Sequence, residues 1–314
     1  MTVLAMSDGR AGNVRQAQAL ADALNGQEAP HLRLDPATPW RWLAPRRLPA
    51  AGHGLGDGFA ALLRNPPAIA VGCGRQAALA TRVLRDVGTR TVQILDPRID
   101  PRHWDLLVVP EHDALRGPNV LTLLGSLNPI DDAWLAEVRA NQPRPPAWGG
   151  GALTAVMIGG PTSAVAMDTP DVAAFVRELV DEASAAGNGL VITTSGRTPR
   201  DWLPALRDAV ARSSATLWSG DGDGPNPHAA MLAYADRIVC TPDSVNMLSE
   251  ACATGASVEW LPFAVRGRIA AFLAALAARR RARPLGAAMV LDTTPLRETA
   301  RIAGEVRRRL RELR

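Results

Sequence analysis

The sequence predicts an α/β protein of two Rossmann-like domains facing across a cleft, and three features carry that expectation. Short apolar runs that end in glycine or a polar turn alternate with helix-compatible stretches along the whole chain. This is the pattern of parallel sheets covered on both faces. A length of 314 residues is long for one domain and comfortable for two. Residues 141–151, NQPRPPAWGGG, interrupt the alternation with proline and glycine and mark a linker. The expected division is therefore an N-terminal domain over 1–145, a C-terminal domain over 146–285 and an amphipathic helix over 286–314. That last helix is a candidate to pack back on the N-terminal domain.

The elements follow in order. TVLAMS (2–7) reads as a strand leading through SDGRAGN into an apolar-periodic helix from about Val14 to Leu24. HLRLD, AIAVG (68–72), TVQILD (91–96), DLLVVP (105–110) and NVLTLLG (119–125) read as further strands, with a helix from Arg75. After the linker the alternation restarts with TAVMIGG (154–160), GLVITTS (189–195), ATLWSG (215–220), RIVCT (237–241) and SVEWLPF (257–263). The last helix is expected to start with Thr294 as N-cap and Pro295 at its first position, with Leu296, Ile302, Val306, Leu310 and Leu313 on one side.

Composition excludes several chemistries. The chain contains no lysine, so all 35 basic residues are arginine, and Schiff-base, PLP and P-loop lysine chemistry are ruled out. Cys73, Cys240 and Cys252 form no CxxC pair, and the five histidines show no HExxH or HxH spacing, so no metal site is expected. A net charge of +4 resembles a nucleic-acid signature, but the arginines are dispersed and aromatics make up only 4%. Nucleic acid is not an expected partner. No apolar run is long enough to span a bilayer, and no secretory signal is expected at the N-terminus. The expected location is cytoplasmic.

Ligands of open parallel α/β sheets bind outside the carboxyl ends of the strands, so the strand-to-helix loops carry the candidate residues. In the second half, Gly159 and Gly160 let backbone approach a ligand, and Thr162 and Ser163 can donate to phosphate oxygens. Thr194, Ser195 and Arg197, with Thr198, surround the next helix start. In IVCTPDSVNMLSEACATGASV (238–258), Asp243 as helix cap would put Asn246 and Glu250 on its face, next to Ser244. A carboxylate there can accept both hydroxyls of a ribose, although a solvated Glu250 and a plain Gly-Gly turn fit the same letters. Asp221 and Asp223 suit a turn better than a metal site.

The segment HAAMLAYADRIVCTPDSVNMLSEACATGASVEWLPF (228–263) resembles the nucleotide-sugar segment of GT-B glycosyltransferases, particularly the peptidoglycan N-acetylglucosaminyltransferase. That resemblance implies that Glu250 binds the ribose of UDP and that Gly159 to Ser163 form the diphosphate loop. Over nearly the whole chain, SDGRAGNVRQAQALADAL, TVQILDPR, DLLVVPEHD, GSLN, VITTSGRTP and ADRIVCTPDSVNMLSEACATG resemble the mitochondrial fission elongated-mitochondria protein family. Its bacterial members carry the label nucleoside-diphosphate-sugar epimerase, and its plant members resemble adaptors of organelle division. Asn226-Pro227-His228 stands where that family leads one to expect Asn-Pro-Tyr.

In the first half, Arg10, Gly12 and Asn13 lie in a glycine-rich strand-to-helix loop, and Gly74 and Arg75 at another strand end; these are the candidate acceptor-side residues. Asp8, Glu111 and His112 are the candidate catalytic bases for an acceptor hydroxyl. The expected function is metal-independent transfer of a sugar from a nucleotide-diphosphate donor, UDP type, with no cofactor, to an acceptor that could be lipid-linked. A sugar-nucleotide epimerase and a non-enzymatic scaffold are the alternatives. Arg307, Arg308 and Arg309 are candidates for a peripheral contact with the inner membrane surface, or for an ordinary solvated helix face.

Overall fold

A computed structural model describes residues 2–313. The first half runs β1 (Val3–Ser7), α1 (Ala11–Asn25), β2 (His31–Arg33), α2 (Trp40–Leu43), α3 (Ala51–Gly54) and α4 (Asp57–Arg64). It continues through β3 (Ile69–Cys73), α5 (Arg75–Arg85), β4 (Arg90–Ile94), β5 (Leu106–Pro110) and β6 (Val120–Leu123). The second half runs α6 (Asp132–Asn141), β7 (Leu153–Ile158), α7 (Thr169–Ala186), β8 (Gly189–Thr194), α8 (Leu203–Val210), β9 (Thr216–Trp218) and α9 (His228–Tyr234). Then come β10 (Arg237–Cys240), α10 (Val245–Cys252), β11 (Ser257–Trp260), α11 (Gly267–Ala278), β12 (Ala282–Pro284) and the closing α12 (Glu298–Glu312).

Each half holds a six-stranded parallel sheet, in the orders β2-β1-β3-β4-β5-β6 and β12-β11-β10-β7-β8-β9. The continuous burial of β1, β3 and β5 explains why these strands are nearly unbroken apolar runs. Strand order reverses between β1 and β3 in the first sheet and between β7 and β10 in the second. Those two switch points, at the strands' carboxyl ends, are where this architecture leaves room for a ligand. The edge strand β12 escapes sequence reading because it is three residues long and ends in proline.

The chain divides differently from the expected 1–145, 146–285 and 286–314. One compact unit runs to Pro129 and resumes at Arg297, and the other is Ile130–Leu296. Residues 141–151 are stitched into the second unit and are no linker. Trp148 is buried, and Arg144 Nη2 donates to the carbonyls of Trp148 and Gly151 at 3.1 and 2.7 Å. The preceding α6 lies on α9, where Arg139 Nε donates to Ala233 O at 2.8 Å and the Tyr234 hydroxyl donates to Arg139 O and Gln142 O. Proline and glycine there report irregular backbone, which can still be packed.

In the first unit α12 packs on α1, and Ile302, Val306 and Leu310 join the same core cluster as Leu20, Val71 and Val108. The helix begins later than Thr294-Pro295 implies. Arg297 is its N-cap with no capping side chain, while Thr294 N donates to Asp292 Oδ1 in a preceding turn. Leu296 belongs to the other unit, and Leu313 is exposed. The helix's arginines are largely neutralised at home: Arg308 pairs with Glu305 and Glu312, Arg309 with Glu305, and Arg307 donates to Ala23 O.

Candidate functional site

In the second unit the switch point brings together the loops after β7, β8 and β10, and Asp243 ties them. Its side chain is fully buried. Oδ2 accepts from Arg197 Nη2 at 2.5 Å and from Gly160 N at 3.3 Å, and Oδ1 accepts from the Thr241 hydroxyl at 2.6 Å. Gly159 N in turn donates to Thr241 Oγ1 at 2.7 Å, and the Thr198 hydroxyl donates to Gly159 O at 2.6 Å. Ser195 Oγ accepts from Arg197 N at 3.2 Å and closes the β8 loop.

This latch accounts for the Gly-Gly pair. A Cβ on Gly159 would overlap the Asp243 carboxylate, and one on Gly160 would overlap the Arg197 carbonyl. The expected contribution of these two N–H groups to a phosphate is thus replaced by internal bonds to Thr241 and Asp243. Thr162 likewise closes its own turn, its hydroxyl accepting from Ala164 N and Val165 N, while Ser163 stays exposed and Thr194 is buried.

Asp243 is not the helix cap. Ser244 caps α10, its hydroxyl accepting from Met247 N at 3.3 Å. Val245 and Asn246 therefore form the first turn, where N–H groups lack intrahelical acceptors and carry the positive end of the helix dipole. Arg197 stands over the same edge, half exposed, with only one guanidinium nitrogen engaged by Asp243. An anion at this position would meet backbone donors and a guanidinium together.

Glu250, about one turn further along α10, is buried rather than solvated, its side chain 6% exposed. His228 Nε2, 2.8 Å from Glu250 Oε2, is positioned to donate to it, so the imidazole tautomer with hydrogen on Nε2 is the one that fits. His228 opens α9, and its own N–H donates to Asn226 Oδ1 at 2.9 Å. The Asn-Pro-His triplet thus delivers a ring to the carboxylate. Sequence reasoning noticed the triplet but not the partnership, because the two residues lie on different helices. Asp223 accepts from Ser219 N and Oγ and lies near Arg207, which makes the 221–223 segment a turn.

The first unit gathers part of its predicted set at the β1/β3 switch point. Asp8 Oδ1 accepts from Asn13 Nδ2 at 2.9 Å and from Arg10 N at 3.2 Å, while Gly74, at φ +91°, lies so close to Asn13 that a side chain would collide. Ser7 Oγ lies 3.0 Å from His31 Nε2, and burial pushes the His31 pKa down. Gly12 sits in the first turn of α1 and Arg75 opens α5, its Nη2 donating to Arg41 O at 3.4 Å. Glu111 and His112 leave the end of β5, three strands from β1. At about 4.8 Å per strand that is about 14 Å, so they and Asp8 do not form an acid/base pair within this unit.

Buried Cys73, Cys240 and Cys252 are unsuited to nucleophilic work. Burial raises all three thiols, Cys252 up to about 12, and each is deep in its sheet or helix.

Two doubly wound parallel sheets, each with a polar cluster at its switch point, define an α/β protein of the GT-B-like class. The chain belongs to the mitochondrial fission ELM1 family, whose model matches residues 11–310. The Mitochondrial fission protein ELM1 of Arabidopsis thaliana is 28% identical over 230 residues, 62% of this chain and 51% of the relative. The chain thus spans about half the length of that plant protein. Among solved structures, the UDP-GlcNAc 2-epimerase from Neisseria meningitidis bound to UDP-GlcNAc matches with a TM-score of 0.59 and 11% identity, over 98% of this chain and 99% of that one. The Methanocaldococcus jannaschii UDP-GlcNAc 2-epimerase in complex with UDP-GlcNAc and UDP matches at 0.56 and 12%, over 98% and 100%. At such identities the likeness is one of fold.

Proposed function

We propose that the second unit binds a nucleotide-diphosphate sugar, UDP type, at its β7/β10 switch point, and that the chain is a metal-independent glycosyltransferase. The observation that carries the reading is Glu250, a buried carboxylate oriented by His228 on the helix whose N-terminus opens to the ligand edge. His228 fixes the orientation of that carboxylate, an acceptor-only group of the kind that ribose hydroxyls donate to. The diphosphate would lie against the first turn of α10 and Arg197, which would also stabilise it as a leaving group. Asp8, Glu111 and His112 are the bases available in the first unit for an acceptor hydroxyl, and Arg10, Asn13 and Arg75 the groups to hold it. That acceptor could be lipid-linked.

A sugar-nucleotide epimerase is the second reading, favoured by the fold likeness to the two UDP-GlcNAc 2-epimerases. An epimerase turns over the sugar nucleotide without an acceptor, so product analysis separates the two.

Thermal shift against UDP-, GDP-, CMP- and ADP-sugars tests the common element. Saturation at about 100 times the dissociation constant stabilises the fold by roughly 2.7 kcal/mol. Glu250→Gln, which keeps a carbonyl acceptor for His228, is expected to fold and to lose most of that shift. Absence of any shift at millimolar ligand would reject both enzymatic readings and leave a non-enzymatic scaffold.

A further inference from the structure

We propose that the first unit docks on an anionic lipid surface through the turn at Trp42 and Leu43. The segment Pro39-Trp40-Arg41-Trp42-Leu43-Ala44-Pro45-Arg46 is fixed on one side and bare on the other. Trp40 packs against the core cluster that contains Phe59 and Leu84, and Ala44 is buried in it. Held by these two, α2 turns Trp42 outward at 69% exposure and Leu43 at 40%. They are the only adjacent pair among the exposed large apolar residues of the described chain. An outward tryptophan beside a leucine costs solubility and suits the boundary between headgroups and acyl chains, where indole is enriched.

Charge selects the occupant. Trp42 and Leu43 form one wall of a 410 Å³ pocket that also takes in Arg46, just past α2, and Arg75 and Arg98, which follow β3 and β4. Arg98 is paired with Asp96, also in the wall. Among the described residues Arg75 donates only to the Arg41 carbonyl, and the Arg46 guanidinium has no hydrogen bond or ion pair. Nearby Arg41 and Arg47 are neutralised by Asp35 and Asp86. The pocket wall therefore keeps two cations without carboxylate partners beside an apolar wedge. A phosphate-bearing lipid headgroup satisfies both, since the arginines take the anion while Trp42 and Leu43 enter beneath it. One wedge or one basic cluster alone holds a surface only transiently, and the two signals together are what stable but reversible binding needs. The α12 arginines, tied to Glu305 and Glu312, offer much less.

Sedimentation of the full chain with extruded vesicles tests this, comparing pure phosphatidylcholine with vesicles of about one third phosphatidylserine at about 0.15 M salt. Binding is expected on the anionic vesicles, at least about tenfold above the neutral ones, and is expected to weaken as salt rises. Trp42→Ser should weaken it roughly tenfold and Arg46→Ser roughly fivefold, with unchanged circular dichroism because both side chains are exposed. Arg308→Ser should leave it as it was. Equal partitioning onto both vesicle types, or no sedimentation with either, overturns the proposal. So does unchanged binding of Arg46→Ser, a readout that survives even if Trp42→Ser fails to fold, or loss of binding in Arg308→Ser, which would shift the contact to α12.

Discussion

Asp243 shows how a residue legible as polar and loop-borne can have a role the sequence hides. Its spacing to Glu250 suggested a shared ligand face, yet its carboxylate is consumed by Arg197, Thr241 and Gly160. Spacing along one helix cannot reveal partners from two other loops. Asp243→Ala would leave Thr241, Gly160 N and a half-exposed arginine without their acceptor, and a loss of about 2–3 kcal/mol is expected in urea unfolding. His31 supplies the pH test. Burial lowers its pKa from the ordinary 6.5, so the unfolded chain binds the proton more readily. The corresponding stability is fully present above about 6.5 and is lost as pH falls toward the lowered folded value. His31→Asn should flatten the melting-temperature profile between neutral and mildly acidic pH. A residual slope of the same sign is expected from His103, lowered by its burial and then by Arg82.

Among the elements, the strands were legible because burial on both faces leaves unbroken apolar runs, as in IAVGC and LLVVP. The start of α12 was not, because Thr294-Pro295 carries the letters of a cap while its backbone turns on Asp292. The apolar side of that helix was read correctly at Ile302, Val306 and Leu310. Ile302→Ala, at a fully buried position facing the first unit's core, should lower stability by about 3 kcal/mol in denaturant unfolding. Arg308→Ser on the opposite face should leave the midpoint within error, since exposed helix pairs contribute little. Glu305, whose pKa is held down to about 2 by hydrogen bonds from Arg308 and then Arg309, stays charged at any working pH.

At the scale of the whole molecule, two parallel α/β units were legible from the repeated alternation, but their division was not. Composition located a boundary at 141–151, whereas the chain changes unit at Pro129 and again at Leu296. The second unit is one continuous segment, and the first is not. Residues 130–296 expressed alone should give a dispersed amide spectrum and a cooperative melt. Residues 1–129 alone should give neither, because the cluster around Leu20 and Val108 lacks the side chains that Ile302, Val306 and Leu310 provide.

This discontinuity also sets a timetable for synthesis. At translation rates of about 5–20 residues per second, the last helix is made about 10 to 40 seconds after Pro129. Throughout that interval the earlier-made sheet waits with an uncovered apolar face, and the later-made unit has all of its parts before the last helix is added. The half that leaves the ribosome first is thus the half that finishes last, and during that wait it is the natural client of a chaperone.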